Sequence, residues 1–343
     1  MDKRIIFAVA GSGKTTFLVN QLNEEKNFLL VTYTNNNVFN LRTGIIKKFG
    51  YFPKNIKLFS YYSFLYSFCY KPFLHQKLRT RGINYEPNLN RFAKKNERKH
   101  YIDKFNRLYS SRISKLLIER RDHKNVIERI AKYFDYILID EIQDFAGNDF
   151  NLLKHISKAP INHIYVGDFY QHTFDTSRDG NTNSGLYKNQ NSYLKEFELL
   201  GMHIDTSSLS KSYRCSPTVC NFISEQLGIS IQSHRTENTE VIFINDKAKA
   251  TQLVGDKNVV KLFYQEHHKY GCFSRNWGES KGEDKYYDVC VVLNKTTLNN
   301  YNQGKLKELA EITRNKLYVA FSRTRNNLYL LPYTFCLPHP SYP

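Results

Sequence analysis

The sequence predicts an α/β protein built on parallel sheets, and three observations carry that prediction. "RIIFAVA" reads as a short buried strand, "FLLVTYT" and "DYILIDE" are apolar runs ending in polar residues, and "NHIYVGD" makes a fourth, the pattern of strands covered on both faces. A helix-forming stretch, "TTFLVNQLNEE", follows the first run across a glycine turn. Beyond Gly201 the same character returns in "TEVIFIND", "NVVKLFY", "YYDVCVVL" and "NLYLLPY". Strands alternating with helices gather ligands at the carboxyl ends of the strands.

At 343 residues the chain is long enough for two domains, each with its own core. We divide it into residues 1–200 and 201–343. Within the first, residues from about 66 to 133 are basic, tyrosine-rich and helically spaced, as in "FNRLYSSRISKLLIERR" and "NVIERIAKYF". They read as a helical insertion. The polar stretch "DTSRDGNTNSGLYKNQNS" reads as an exposed connection.

A formal net charge of +18 and a pI near 9.4 point to an anionic partner, nucleic acid being the commonest. The wealth of Asn, Lys, Tyr, Ile and Phe is also what an AT-rich genome produces without selection for binding. Charge therefore needs the support of motifs. The six cysteines form no CxxC pair and no zinc-ligand spacing, so reduced thiols in a cytoplasmic protein are the expectation. No apolar run approaches a membrane span, and "IIFAVA" is too short for a leader peptide.

The segment "AGSGKTT" has the parts of a phosphate cradle: Ala10, Gly11, Ser12, Gly13, Lys14, Thr15 and Thr16. The two glycines let backbone N–H groups converge on phosphate oxygens, Lys14 reaches the terminal phosphates, and the Thr15 hydroxyl suits Mg²⁺. The usual leading glycine is replaced by Ala8. Downstream, "ILIDEIQD" ends a strand in two acids. Asp140 suits Mg²⁺ and Glu141 suits the attacking water. A solvated acidic strand end is the plainer reading, and the neighbouring phosphate turn argues against it.

With these residues in hand, the chain resembles the UvrD/Rep/PcrA-type superfamily 1 helicases. "DEIQD" is similar to their DExQD motif, "TYTN" at Thr32 to motif Ia, and "SYYSF" at Ser60 to motif Ib. "VGDFYQ" resembles motif III, "SYRCSP" motif IV, "ESKGEDKYYDVCVV" motif V and "KLYVAFSRTR" motif VI. The resemblance runs in the family's order from Phe7 to about Leu331. It implies two RecA-like P-loop domains, with ATP and Mg²⁺ as cofactors. It implies that Gln171 senses the γ-phosphate, Gln143 couples nucleotide state to movement, and Tyr213 stacks on adenine. Arg214 and Arg323 would reach the γ-phosphate from the second domain. An arginine of that kind is worth about 10³–10⁵ in rate. An acidic role in motif V falls to Glu283 or to Asp284.

For nucleic acid, the resemblance implies contacts from Tyr33, Asn35, Tyr61, Tyr62 and Phe174, with Lys281 on a phosphate; inward packing is the alternative for the aromatics. The family's tryptophan and arginine after motif III are replaced by Thr176 and Ser177. Only about 65 residues separate Arg214 from Lys281, so the accessory 2B-type domain is expected to be reduced or absent. That economy, with "GESKG" and "KLYVAFSRTR", is similar to the compact UvrD-like subunits of prokaryotic antiviral systems such as Gabija. The expected activity is an ATPase moving on single-stranded DNA, and a duplex with a tail is a further candidate substrate. A nucleic-acid-sensing regulatory ATPase that signals to a partner effector is the alternative. A nuclease reading of "ESK" at Glu279 is weak, and a partner would then do the cutting.

Overall fold

A computed structural model of the chain describes residues 1–88, 92–173 and 181–336. The chain divides into two units. The first comprises Met1–Phe7, Lys14–Gly167 and Phe174–Asp205; the second comprises Ala8–Gly13, Asp168–Thr173 and Thr206–Pro343. Both are α/β, and every strand pair of their main sheets is parallel.

In the first unit, β1 (Lys3–Phe7), β2 (Phe28–Thr32) and β3 (Ile56–Ser60) are followed by two short strands, β4 (Gly82–Asn84) and β5 (Arg107–Tyr109), which pair in parallel. Next come β6 (Tyr136–Ile139), β7 (Asn162–Gly167) and β8 (His203–Asp205). The six-stranded sheet runs β3-β2-β6-β7-β1-β8. Its registers pair Phe7 with Gly167, Val31 with Ile139 and Thr32 with Ser60, so the carboxyl ends of its central strands stand level. β2 is buried along its whole length, as its unbroken apolar run requires.

After β2, Thr34 caps the helix Asn35–Phe49 by accepting the N–H of Asn37 at 3.1 Å, and Gly50, at φ 80°, ends it in the left-handed region. After β3 the chain winds through Tyr61–Ser63, a π-helical stretch Phe64–Tyr70, and Lys71–Leu78. The helices Ile113–Glu119 and His123–Tyr133 follow within the region read as an insertion. The β4–β5 ribbon within it was not anticipated. Its strands have three residues each, too few for an alternation pattern to register.

In the second unit, β9 (Lys211–Ser212) and β10 (Gln232–Ser233) pair with each other. The main sheet holds β11 (Val241–Phe243), β12 (Val260–Phe263), β13 (Ser274–Asn276), β14 (Val289–Leu293) and β15 (Leu328–Pro332), ordered β11-β15-β14-β12-β13. One face, carrying Val260, Leu262, Val289, Val291 and Leu328, packs on Val219 and Ile223 of the helix Pro217–Leu227 and on Leu317 and Phe321 of the helix Glu311–Phe321. The other face buries Phe263, Cys290, Val292 and Leu331. Lys261 also lies on that second face. Burial depresses its pKa, and its ammonium donates to the Val259 carbonyl at 2.9 Å and to the Asp256 carbonyl. All six cysteines are unpaired. Among the described residues no helix is long and apolar enough to cross a membrane.

Candidate functional site

In the first unit the acidic pair ends β6. Asp140, Glu141 and Gln143 are all buried. Asp140 accepts the Glu141 N–H at 3.0 Å and the Thr32 hydroxyl at 3.4 Å. Gln143 Nε2 donates to Glu141 Oε2 at 2.5 Å, which aims the candidate base. Glu141 sits at φ 56°, ψ 46°, a left-handed conformation that costs a glutamate about 1–3 kcal/mol. Strain held at that position suits a functional role. Gly167, at the end of β7, leaves room for this turn: a Cβ there would lie 2.6 Å from Ile142 Cγ2 and 3.1 Å from the Ile142 backbone nitrogen. Lys14 opens the helix Lys14–Asn20, with Thr15 and Thr16 in its first turn.

In the second unit, the glycine turn Ala8–Gly13 packs on "SYRCSP" and on Tyr318 of "KLYVAFSRTR", and reaches Asp168 through Tyr318. Gly11 and Gly13 adopt φ of 71° and 85°, which only glycine takes without strain. A Cβ on Gly11 would stand 2.7 Å from both Arg214 Cβ and Ser212 Oγ. The Tyr213 N–H donates to the Gly11 carbonyl at 2.8 Å, and the Ala10 N–H donates to the Tyr318 hydroxyl at 2.9 Å. Tyr318 in turn donates to Asp168 Oδ2 at 3.0 Å, which also accepts Gln171 Nε2 at 2.9 Å. Burial and then the Asp168 charge push the Tyr318 phenol well above its ordinary pKa, so it remains a donor. The Ser12 hydroxyl is buried with no hydrogen-bond partner, as a group awaiting a phosphate oxygen would be.

Arg214 donates Nη1 to the Ser322 carbonyl at 2.9 Å and pairs through Nη2 with Asp284, while its buried Nε lacks an acceptor. Partial desolvation of Asp284 works to raise its pKa. The charges of Arg214 and Arg323 outweigh that and hold the carboxyl below the usual range. Arg323 is 2 % exposed and donates Nε to the Val319 carbonyl at 3.1 Å and Nη1 to the Ser280 and Glu283 carbonyls at 3.4 Å. Of the two motif V acids left open by the sequence, Asp284 meets Arg214; Glu283 accepts the Tyr286 hydroxyl and faces Arg275 at 3.5 Å. The Tyr213 ring is 60 % exposed and stacks on His234 at 4.0 Å. Tyr318, Asp168 and His234 were not among the residues expected from the sequence. Tyr318 and Asp168 lie inside recognisable motifs, whereas His234 carries no local signal.

Of the nucleic-acid candidates, Tyr33 and Tyr62 are half-buried, with ring centroids 6.0 Å apart and hydroxyls 3.5 Å apart. Burial and the Asp149 charge push the Tyr62 phenol up to about 12. Tyr61 packs inward at 2 % exposure, edge-on to Phe145 at 4.7 Å and 3.2 Å from the Ser114 hydroxyl, so its ring is not presented to a base. Tyr85, 64 % exposed and 5.2 Å from Tyr62, extends the aromatic group in its place. Asn35 is exposed at the start of its helix, and Lys281 is half-buried in the second unit. Phe174, Thr176 and Ser177 lie outside the described residues.

Residues 76–176 match the sequence model of the UvrD/REP helicase N-terminal domain. No curated protein matches the chain. Among solved structures, the arterivirus nonstructural protein 10 helicase is similar at 14 % identity and a TM-score of 0.51, covering 96 % of this chain and 59 % of the helicase. Its complex with DNA is similar at 15 % identity and a TM-score of 0.51, covering 96 % and 60 %. The chain shares the fold of these helicases. It spans about three-fifths of their length.

Proposed function

We propose that the chain is an ATP-dependent superfamily 1 motor of the UvrD-like kind, acting on single-stranded DNA, with residues 1–200 and 201–343 as RecA-like motor domains. The observation that carries this reading is the phosphate turn. Its two glycines hold positive φ, the Ser12 hydroxyl is buried without a partner, and Lys14 opens the following helix. These residues fit a nucleotide phosphate, and Thr15 with Asp140 fit Mg²⁺. The metal, when bound, supplies charge neutralisation of the phosphate oxygens. Glu141, aimed by Gln143, takes the proton of the attacking water. Tyr213, 60 % exposed, takes the adenine. Gln171, Arg214 and Arg323 act on the same triphosphate, and Arg214 exchanges Asp284 for phosphate oxygens. Tyr33, Tyr62, Asn35 and Lys281 contact the strand.

The test is ATP hydrolysis with and without single-stranded DNA at low salt. Stimulation that fades as salt rises is expected, since phosphate contacts weaken steeply with salt. No stimulation overturns the motor reading.

A second reading, a nucleic-acid-sensing ATPase that signals to a nuclease or another effector, is favoured by Thr176 and Ser177 in place of the family's tryptophan and arginine. The Gabija-like motifs would set it in antiviral defence in the cytoplasm. Sustained strand displacement by the purified chain would remove it.

A further inference from the structure

At the amino ends of β2, β3 and β6, opposite the end of the sheet that carries the acidic pair, the first unit holds a cavity of about 410 Å³. That volume lies within the roughly 300–1,000 Å³ range of small-ligand sites. Its lining includes three cations, Lys54, Lys57 and Arg129, together with Phe59, Phe68 and Tyr133, and no carboxylate. The nearby carboxylate of Asp135 accepts the Asn27 N–H at 2.8 Å. Lys57 and Phe59 stand two residues apart on β3, so they share a face. Arg129 and Tyr133 stand four apart on the helix His123–Tyr133, so they share another.

Arg129 is the centre of the arrangement. Its guanidinium carbon lies 4.9 Å from the Phe68 ring centroid and 5.3 Å from that of Tyr133. Its Nε is buried and has no hydrogen-bond acceptor. Lys54 and Lys57 are exposed beside it. A guanidinium held against aromatic rings, with a donor unspent and two ammonium groups at the rim, matches two features of one ligand. The exposed Tyr133 ring and the guanidinium plane take a nucleobase, as single-strand binders do, and the cations take its phosphate. An acidic peptide would use the cations but would leave the exposed ring of Tyr133 unused.

We propose that this cavity binds a nucleotide unit, base and phosphate together, at a site separate from the nucleotide and strand residues described above. A free mononucleotide and a nucleotide within a strand share that chemistry, and the experiment separates them. The full chain carrying Lys14→Ala is irradiated with 4-thiothymidine monophosphate or with a 5′-phosphorylated dT6 containing 4-thiothymidine, and adducts are mapped by mass spectrometry. Adducts at Phe59, Phe68 or Tyr133 are expected, from the monophosphate if the ligand is free and from the oligonucleotide alone if it is a strand. The surface double variant Lys54→Ala/Lys57→Ala should weaken the adduct-forming probe at least fivefold. For the strand it should lower the slope of log affinity against log salt by about 1.4. Tyr133→Leu should weaken either probe without changing that slope. Adducts confined to other segments, with the double variant titrating like its parent, would overturn the proposal. DNA-stimulated turnover bears on the motor reading and leaves this adduct map unaffected.

Discussion

Tyr318 donates its phenolic proton to Asp168 across 3.0 Å, and the same oxygen accepts the backbone N–H of Ala10 at 2.9 Å. One buried hydroxyl thus fixes the start of the phosphate turn to the acid of motif III, the acid that also holds Gln171. Tyr318→Phe keeps the ring in its core, strands the buried Ala10 N–H and takes one donor from the buried Asp168 carboxylate. A loss of about 1–3 kcal/mol in urea unfolding is expected. ATP turnover should fall at least tenfold. Unchanged turnover would mean that the turn is positioned by other contacts.

Gly11→Ala should weaken fluorescent ATP-analogue binding more than tenfold, because the new methyl meets Arg214 and Ser212 at 2.7 Å and the backbone is held at φ 71°. The control is Gly50→Ala, also at positive φ but with open space around it. That change should cost about 1 kcal/mol at the helix end and leave nucleotide binding intact.

Glu141→Gln should abolish turnover while ATP-analogue binding stays within about threefold, since the amide keeps the shape but takes no proton. Glu141→Gly should abolish turnover too. It should leave the fold at least as stable, because the left-handed backbone at φ 56° is then relieved. A glycine variant much less stable than the parent would place the value of Glu141 in its contacts instead.

His163 supplies a pH dependence. Its Nε2 lies 3.0 Å from the Ala159 carbonyl and so carries the proton, which leaves Nδ1 to accept from the Tyr165 hydroxyl at 3.0 Å. Burial, helped by the Lys3 charge and opposed by the Ala159 carbonyl, lowers its pKa from 6.5 to about 4. The unfolded chain therefore takes the proton first as pH falls. The stability due to neutral His163 is complete above pH 6.5 and lost progressively toward pH 4, amounting to about 3 kcal/mol in all. Urea midpoints measured across that window should slope less in His163→Gln than in the parent.

The strands legible in the sequence were those with long unbroken apolar runs, such as "FLLVT" in β2 and "VCVVL" in β14. β3, with Lys57 at its second position, and the three-residue strands β8 and β13 carry no such run, and they form because their neighbours supply the ladder. The turn at Gly11 and Gly13 was legible for a related reason, since glycine spacing is a local requirement. The Ala10–Tyr318 link spans 308 positions and the Arg214–Asp284 pair 70, so no local pattern announces either. The inward turn of Tyr61 is likewise decided by Phe145 and Ser114, which the motif "SYYSF" does not contain.

The margins of the two main sheets have a consequence for concentrated solutions. Three of the four border strands, β8, β11 and β13, are only three residues long, and the fourth, β3, carries an exposed lysine at its second position. Little unsatisfied ladder is offered to a second molecule, and what there is repels its own copy. Self-association at these two sheets would have to run through side chains rather than by adding strand to strand.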